Sequence, residues 1–141
     1  MVSDGTNLYV TDSGNNKIRK IVISTGEVTT LASGFNVPKG IVIVGANLYV
    51  VDTNNHKIRK IVISSGAVST LAGSGSAAFA DGTGTNASFY WPFGITTDGT
   101  NLYVADSENK RIRKIVISTG VVTTLAGSGS VGSVDGTGTS A

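Results

Sequence analysis

A 25-residue segment occurs three times in this chain, and the repetition constrains the fold more than any other feature. The copies begin at Asn7, Asn47 and Asn101 and read NLYVTDSGNNKIRKIVISTGEVTTL, NLYVVDTNNHKIRKIVISSGAVSTL and NLYVADSENKRIRKIVISTGVVTTL. The second copy matches the first at 18 of 25 positions, and the third matches it at 20. A chain built in this way is expected to fold as a row of similar units that cover each other's faces.

Each copy divides into short apolar runs separated by turn sequences. The third copy, with its flanks, has runs at 92–97, 102–105, 112–117 and 121–125, joined by Asp-Gly and Ser-Thr-Gly sequences. Val, Ile and Thr pack well on pleated surfaces, and these turn sequences are typical of hairpins. The pattern therefore predicts an all-β fold with four antiparallel strands in each unit.

The repeats begin 40 residues apart and then 54 residues apart, and the extra 14 residues all lie between Gly73 and Gly94. A period near 40 with several short strands is typical of a β-propeller blade. We predict one β-propeller segment over 1–141, with unit 1 at about 1–34 and unit 2 at about 38–73. A linker at 73–91, unit 3 at about 92–127 and a tail at 128–141 complete the chain.

The repeated residues also resemble a known family. The pattern P-x-G-I, N-L-Y-V-x-D, K/R-I-R-K-I and T-G-x-V-T-T-L-A-G is similar to the NHL repeat and covers nearly the whole chain. The resemblance implies blades of four antiparallel strands, with the strand after the proline lining the axis and usually six blades in a ring.

The two ends of the chain continue the same repeat. The tail sequence 125–141 repeats 71–87, and residues 2–7 align with 96–101. We expect the chain to be an excised or engineered piece of a longer repeat array. Three blades cannot close a ring, so the expected partner is a second copy, in a homodimer of six blades. The natural parent is expected to bind a protein or another ligand.

A carboxylate and a guanidinium recur at fixed positions in every unit. Asp12, Asp52 and Asp106 end the second strand, and Arg19, Arg59 and Arg113 stand on the third. We interpret each pair as structural, with the carboxylate accepting loop N–H groups and facing the arginine. A catalytic site is usually local and is not copied into each repeat.

Ten of the eleven cations cluster at the start of the third strands, which suggests a basic propeller face. The alternative function is therefore binding of single-stranded RNA through phosphate contacts and aromatic stacking. A net charge of +2 does not by itself indicate nucleic acid. The candidate ligand face comprises Lys17, Lys57, Lys110, Arg111 and Trp91.

The remaining motifs favour structural roles. Gly82-Thr83-Gly84 is interpreted as a bending linker, and the aromatic cluster at 89–93 as a filler over the blade junction. His56, the single histidine, stands where the other units have Asn16 and Lys110, which is typical of an exposed loop. We predict no catalytic residue, no metal site and no cofactor. No apolar run approaches the roughly 18 residues that would predict a membrane span.

Overall fold

The computed structural model describes residues 1–141, which form thirteen strands joined by turns and short 3-10 helices. Unit 1 contains β1 (Val2–Ser3), β2 (Asn7–Asp12), β3 (Lys17–Val22) and β4 (Val28–Ser33). Unit 2 contains β5 (Pro38–Val44), β6 (Asn47–Asp52), β7 (Lys57–Val62) and β8 (Val68–Ala72). β9 (Gly82–Thr83) precedes unit 3, which contains β10 (Pro92–Thr97), β11 (Asn101–Asp106), β12 (Arg111–Val116) and β13 (Val121–Ala126).

Within each unit, neighbouring strands pair antiparallel in chain order, which confirms the all-β prediction of four-stranded units. The sheet of unit 3 differs by a fifth strand, because β9 pairs with the outer edge of β13 through Thr83 and Val121. The interpretation of Gly82-Thr83-Gly84 as a simple bending linker was therefore incomplete. Its backbone satisfies part of a sheet edge that would otherwise be unpaired.

A 3-10 turn joins the second and third strands of every unit and ends on a left-handed residue. Asn16, His56 and Lys110 hold this position, with φ of 57°, 54° and 54°. Their backbone N–H groups bond back to Ser13, Thr53 and Ser107, the first residues of the turns. The turn reverses the chain, so that the third strand runs back along the second and its arginine comes to lie beside the repeated aspartate.

The apolar core lies between the units. One cluster joins units 1 and 2, and a second joins units 2 and 3. Along β6, Leu48 and Val50 enter the first cluster, whereas Tyr49 and Val51 enter the second. Successive side chains of a strand point to opposite faces, so unit 2 is covered on both sides.

The first strands of units 2 and 3 approach each other closely. A Cβ atom on Gly40 would lie 2.8 Å from the carbonyl oxygen of Phe93, so only glycine fits there. Gly94 holds the same repeat position in unit 3, where a Cβ would contact Ala105 at 3.8 Å. Equivalent residues thus meet different surroundings in the middle of the chain and at its end.

Candidate functional site

The repeated Asp–Arg pairs form in all three units, but the distance between the charged groups and their burial differ from unit to unit. Arg113 Nη1 lies 2.7 Å from Asp106 Oδ2, and both side chains are fully buried. Arg59 lies 3.0 Å from Asp52, whose side chain is buried, while the Arg59 side chain is 18% exposed. Arg19 lies 3.6 Å from Asp12, with exposures of 34% and 26%. Burial of the pair therefore increases from unit 1 to unit 3.

The buried aspartates hold the backbone that leads into their own units. Asp52 accepts the N–H of Asn36 at 2.7 Å, and Asp106 accepts that of Tyr90 at 2.8 Å. Each also accepts a side-chain amide from the 3-10 turn, Asn55 or Asn109. Asp12 accepts the side-chain amide of Asn15, but it accepts no backbone N–H from the segment before its unit. This arrangement matches a structural role and provides no free carboxylate for proton transfer.

The 3-10 turns of units 1 and 2 also bind the beginning of the following unit. The Ser13 hydroxyl donates to the carbonyl of Pro38, and the Thr53 hydroxyl donates to that of Pro92 at 2.9 Å. Asn16 Oδ1 accepts the N–H of Val37 at 2.8 Å, and the ring of His56 takes its place one unit later.

His56 Nδ1 accepts the N–H of Trp91 at 3.2 Å, and the ring meets Tyr90 edge-on at 5.8 Å between centroids. The expectation of an exposed loop histidine was wrong, because His56 is half-buried at the junction of units 2 and 3. Trp91 has a φ of 47°, a conformation that costs energy outside glycine and that this hydrogen bond helps to hold. The replacement of Asn16 by His56 between units looked like free variation at an exposed site. Both side chains can accept an N–H, so the hydrogen bond is kept although the residue changes.

Protonation of His56 is expected to destabilise the chain. Burial lowers its pKa below the ordinary value of 6.5, and the nearby Asp106 carboxylate opposes this shift in part. The unfolded chain then binds the proton more readily, so stability falls as the pH drops from about 6.5 through the folded-state pKa. A protonated Nδ1 can no longer accept the N–H of Trp91. Thermal unfolding followed between about pH 7.5 and pH 5 measures the loss.

The matched control is His56→Asn, which installs the residue of unit 1. The amide oxygen can accept the same N–H but does not titrate. The variant should lose less melting temperature than the parent on acidification. Parallel curves for the two proteins would show that His56 does not carry this pH dependence.

A segment between units 2 and 3 encloses Arg113. The guanidinium donates to the carbonyls of Ala80 at 2.7 Å and Ser88 at 3.0 Å, and to Asp81 Oδ1 at 2.7 Å. The rings of Phe79 and Phe89 lie 4.8 and 5.2 Å from it. Both Nη atoms of this buried side chain therefore have hydrogen-bond acceptors, whereas its Nε has none. Asp81 could not be recognised from the sequence as a partner of Arg113, because the two lie 32 residues apart in the chain.

A second carboxylate motif stabilises the turn before the second strand in units 1 and 3. Asp98 accepts the N–H groups of Thr100 and Asn101 and the Tyr103 hydroxyl, the last at 2.7 Å. Hydrogen bonding, with the Asn101 side-chain amide as the main cause, holds the pKa of Asp98 well below its usual range. Asp4 repeats the arrangement with Tyr9 in unit 1. The Asp-Gly-Thr-Asn sequence was visible as a turn, but its link to the tyrosine on the following strand was not.

The candidate ligand face is less basic than its sequence suggests. Lys110 pairs with Glu108 at 2.9 Å, and Arg111 donates to the carbonyls of Asn109 and Ser128 while stacking on Phe79 at 4.0 Å. Lys17 and Lys57 open β3 and β7, are half-buried and make no ion pair. The structure therefore leaves two of these four cations free of protein partners.

The aromatic cluster divides into buried and exposed members. Phe89 is fully buried and belongs to the core between units 2 and 3, as expected for a filler. Tyr90, Trp91 and Phe93 are 40%, 52% and 56% exposed, so the same interpretation was wrong for them. They lie where the chain turns into β10, and Lys39 lies 5.7 Å from the ring centre of Phe93. Of these exposed rings, Trp91 is the one that belongs to the predicted ligand face.

Two remaining features of the structure are the grouping of its metal-ligating side-chain types and the length of its helices. No three His, Cys, Asp or Glu side chains come together in a group that could hold a metal ion. None of the helices has the length and apolar character needed to cross a membrane.

The two end units expose side chains whose repeat equivalents are buried. Ile18 and Ile58 are fully buried, whereas Ile112 is 40% exposed. Val122 is 1% exposed, whereas Val28 is 52% exposed. On unit 3, Ile112 borders a shallow hollow of about 250 Å³ with Ile95, Tyr103 and Ala105. Both end faces thus present the surface that unit 2 uses for packing.

The solved structures that resemble this chain are β-propeller-like. A protein of unknown function from Bacteroides thetaiotaomicron has a TM-score of 0.73 and 28% identity over 86% of this chain. An auxiliary nutrient binding protein from Bacteroides ovatus gives 0.71 and 22% over 88%, and virginiamycin B lyase from Staphylococcus aureus gives 0.65 and 18% over 89%.

The chain spans 33%, 34% and 39% of these three proteins, about a third of their length. No family model matches the sequence, and no curated protein matches it. At this level of identity the similarity establishes architecture. The three sheets of this chain are β-propeller-like, each sheet corresponding to one blade.

Proposed function

We propose that this chain is an NHL-type partial β-propeller that acts as a structural and interaction scaffold, without catalytic activity, and assembles with a second copy of itself. The observation that carries the proposal is the exposure of repeat-equivalent residues at the two ends. Unit 2 buries its Ile58 side chain completely, whereas Ile112 of unit 3 remains 40% exposed. A second copy would supply the face that each end unit lacks.

The two open faces are complementary because both derive from one repeat. Unit 2 directs three positions towards unit 3, and their equivalents on unit 3 are the exposed Ile112 and the partly exposed Tyr103 and Ala105. Unit 1 leaves partly exposed the positions that unit 2 directs towards unit 1, namely Leu8, Val10 and Ile21. Packing unit 3 of one copy on unit 1 of the other would recreate the contacts between successive units. Contiguous apolar surface of this kind favours association.

The number of copies follows from the number of blades. Each chain contributes three units, so a closed ring contains a multiple of three. Propellers typically have four to eight blades, and six is the multiple of three within that range. Two copies related by a two-fold axis would form two equivalent junctions and leave no face open.

Light scattering at micromolar concentration tests the proposal. The expected mass is twice the 14.3 kDa of one chain. A well-behaved monomer over the same concentration range would overturn it.

A second candidate, binding of single-stranded RNA, is favoured by the exposed aromatic patch. Trp91 and Phe93 are more than half exposed, and Lys39 lies beside Phe93. Base stacking on such rings contributes about 1–3 kcal/mol per base. Titration of labelled RNA at low and moderate salt, with Trp91→Ala as the control, tests this candidate. Flat curves for the parent protein at both salt concentrations would exclude it.

A further inference from the structure

The tail (128–141) adopts the fold of the segment that joins units 2 and 3. In the joining segment (73–91), Gly73 donates its N–H to Gly84 at 3.1 Å, and Ser74 donates to Ala87 at 2.8 Å. In the tail region, Gly127 donates to Gly138 at 3.1 Å, and Ser128 donates to Ala141 at 2.9 Å. Both segments also form a 3-10 turn after a Gly-Thr pair, at Gly84–Asn86 and at Gly138–Ser140. The tail therefore has the same backbone hydrogen bonds and the same turn as the joining segment.

The joining segment shows what such a segment does to the unit that follows it. Gly82 and Thr83 add a fifth strand to β13 by pairing with Val122 and Val121. Asp81 binds Arg113 at 2.7 Å and accepts the N–H of Thr124 at 3.3 Å. A backbone pairing and an ion pair thus fasten the segment to the next unit.

The tail carries the same groups with no partner in its own chain. Asp135, Gly136 and Thr137 hold the repeat positions of Asp81, Gly82 and Thr83 and are exposed. No hydrogen bond or ion pair engages the Asp135 carboxylate, although its repeat equivalent, Asp81, pairs with Arg113. The tail therefore presents a free carboxylate beside a free strand-forming pair.

Unit 1 presents the matching surface. Arg19 and Thr30 hold the repeat positions of Arg113 and Thr124, and Glu27 and Val28 hold those of Val121 and Val122. The Arg19 side chain is 34% exposed, with Asp12 at 3.6 Å as its carboxylate partner. The outer edge of β4 pairs with no strand, and Val28 is 52% exposed. Unit 1 thus presents an arginine and an unpaired strand edge at the repeat positions that the joining segment binds in unit 3.

From these equivalences we infer that the tail of one copy docks on unit 1 of a second copy. Gly136 and Thr137 add a fifth strand to β4, opposite Val28 and Glu27, and the Asp135 carboxylate pairs with Arg19. The inference rests on the proposed self-assembly and names the segment that fastens it. Charge complementarity supports the pairing, because an exposed carboxylate meets a half-buried guanidinium.

The same chain cannot satisfy both halves of the contact. Unit 2 lies between units 1 and 3, with one apolar cluster on each of its sides. The 3-10 turn of the tail packs on β13 of unit 3, and unit 2 separates unit 3 from Arg19. A second copy is therefore the occupant that brings Asp135 to Arg19.

A disulfide placed across the inferred strand pair tests the inference directly. The chain has no cysteine, so two introduced thiols report only on each other. Directly opposed residues of antiparallel strands have Cα separations of about 4.5–5.5 Å, within the range of a disulfide. In the double variant Glu27→Cys/Thr137→Cys, mild oxidation should join the thiol introduced at position 27 to the thiol introduced at position 137 of another copy. A non-reducing gel should then show a species of two chains that reductant returns to one.

The internal pair provides the matched control. Thr83→Cys/Val121→Cys occupies the same repeat positions within one chain and should oxidise without any increase in chain mass. The single variant Glu27→Cys should give no cross-link under the same conditions. A series of cross-linked species of three or more chains would support the docked tail. It would overturn the closed dimer, in which at most two chains can be joined.

Two other outcomes separate this inference from the proposed assembly. If light scattering gives twice the chain mass but the double variant stays uncross-linked, the docked tail is wrong and the assembly stands. If the parent protein is a monomer, both are wrong. Asp135→Ala provides an independent measure and should weaken dimerisation by roughly tenfold. Unfolding of the single chain should not change, because the Asp135 carboxylate has no intrachain partner.

Discussion

Asp106→Ala is expected to lower the free energy of unfolding by about 3–5 kcal/mol. The change removes the one fully buried carboxylate that pairs with Arg113, a buried cation, and the acceptor for the N–H of Tyr90. It also removes the acceptor of the Asn109 amide, so three donors lose a partner at once. Asp81 and the carbonyls of Ala80 and Ser88 still accept from Arg113, but Asp81 is 47% exposed and is the weaker carboxylate partner. Chemical denaturation at two protein concentrations measures the loss and separates any contribution from assembly.

Asp12→Ala is the matched control, because the same repeat position has a different environment in unit 1. The Asp12 side chain is 26% exposed and lies 3.6 Å from Arg19. Exposed pairs of this kind contribute about 0–1 kcal/mol. Asp52→Ala should fall between the two, since its carboxylate is buried while Arg59 is 18% exposed. Equal losses at positions 12 and 106 would contradict the structural role assigned to the repeated aspartates.

Ile58→Ala is expected to destabilise the chain by about 2–5 kcal/mol, the usual cost of truncating a buried isoleucine. Ile58 is fully buried between units 2 and 3, where the lost side chain would leave a cavity. The loss should not depend on protein concentration, because the contact lies within one chain. Thermal and denaturant unfolding measure it.

Ile112→Ala changes the same repeat position on the open face of unit 3. The side chain is 40% exposed, so unfolding of the single chain should change by less than about 1 kcal/mol. In the proposed dimer the residue packs on the second copy, so the variant should dissociate at higher protein concentration than the parent. An unchanged dimer would place this face outside the interface.

The repeated pattern alone was enough to predict the strands and their pairing. The four runs of each repeat became four antiparallel strands, because hairpin partners are neighbours in the chain and their turn sequences favour the pairing. The aspartate and arginine of each unit were also identified from their positions, seven residues apart. These features depend on residues close in sequence, and the chain contains three copies of each.

The role of His56 and the contacts that the segment between units 2 and 3 makes with Arg113 could not be predicted in the same way. His56 accepts the N–H of Trp91, 35 residues later, and Asp81 reaches Arg113 across 32 residues. The sequence placed Trp91 both in the candidate ligand face and in the filler cluster, and only the structure shows that its side chain is 52% exposed. Contacts between units follow from how the sheets lie against each other, which periodicity does not encode.

The sequence by itself determined that this chain has three similar units of four strands, with an aspartate and an arginine in each. Only the tertiary structure decided which copies of those residues are buried. Arg113 is fully buried and Arg19 is one-third exposed, although both occupy the same position in the repeat. The physical reason is that strand pairing is local, whereas burial depends on a neighbouring sheet and a covering segment, which equivalent residues in the three units do not share.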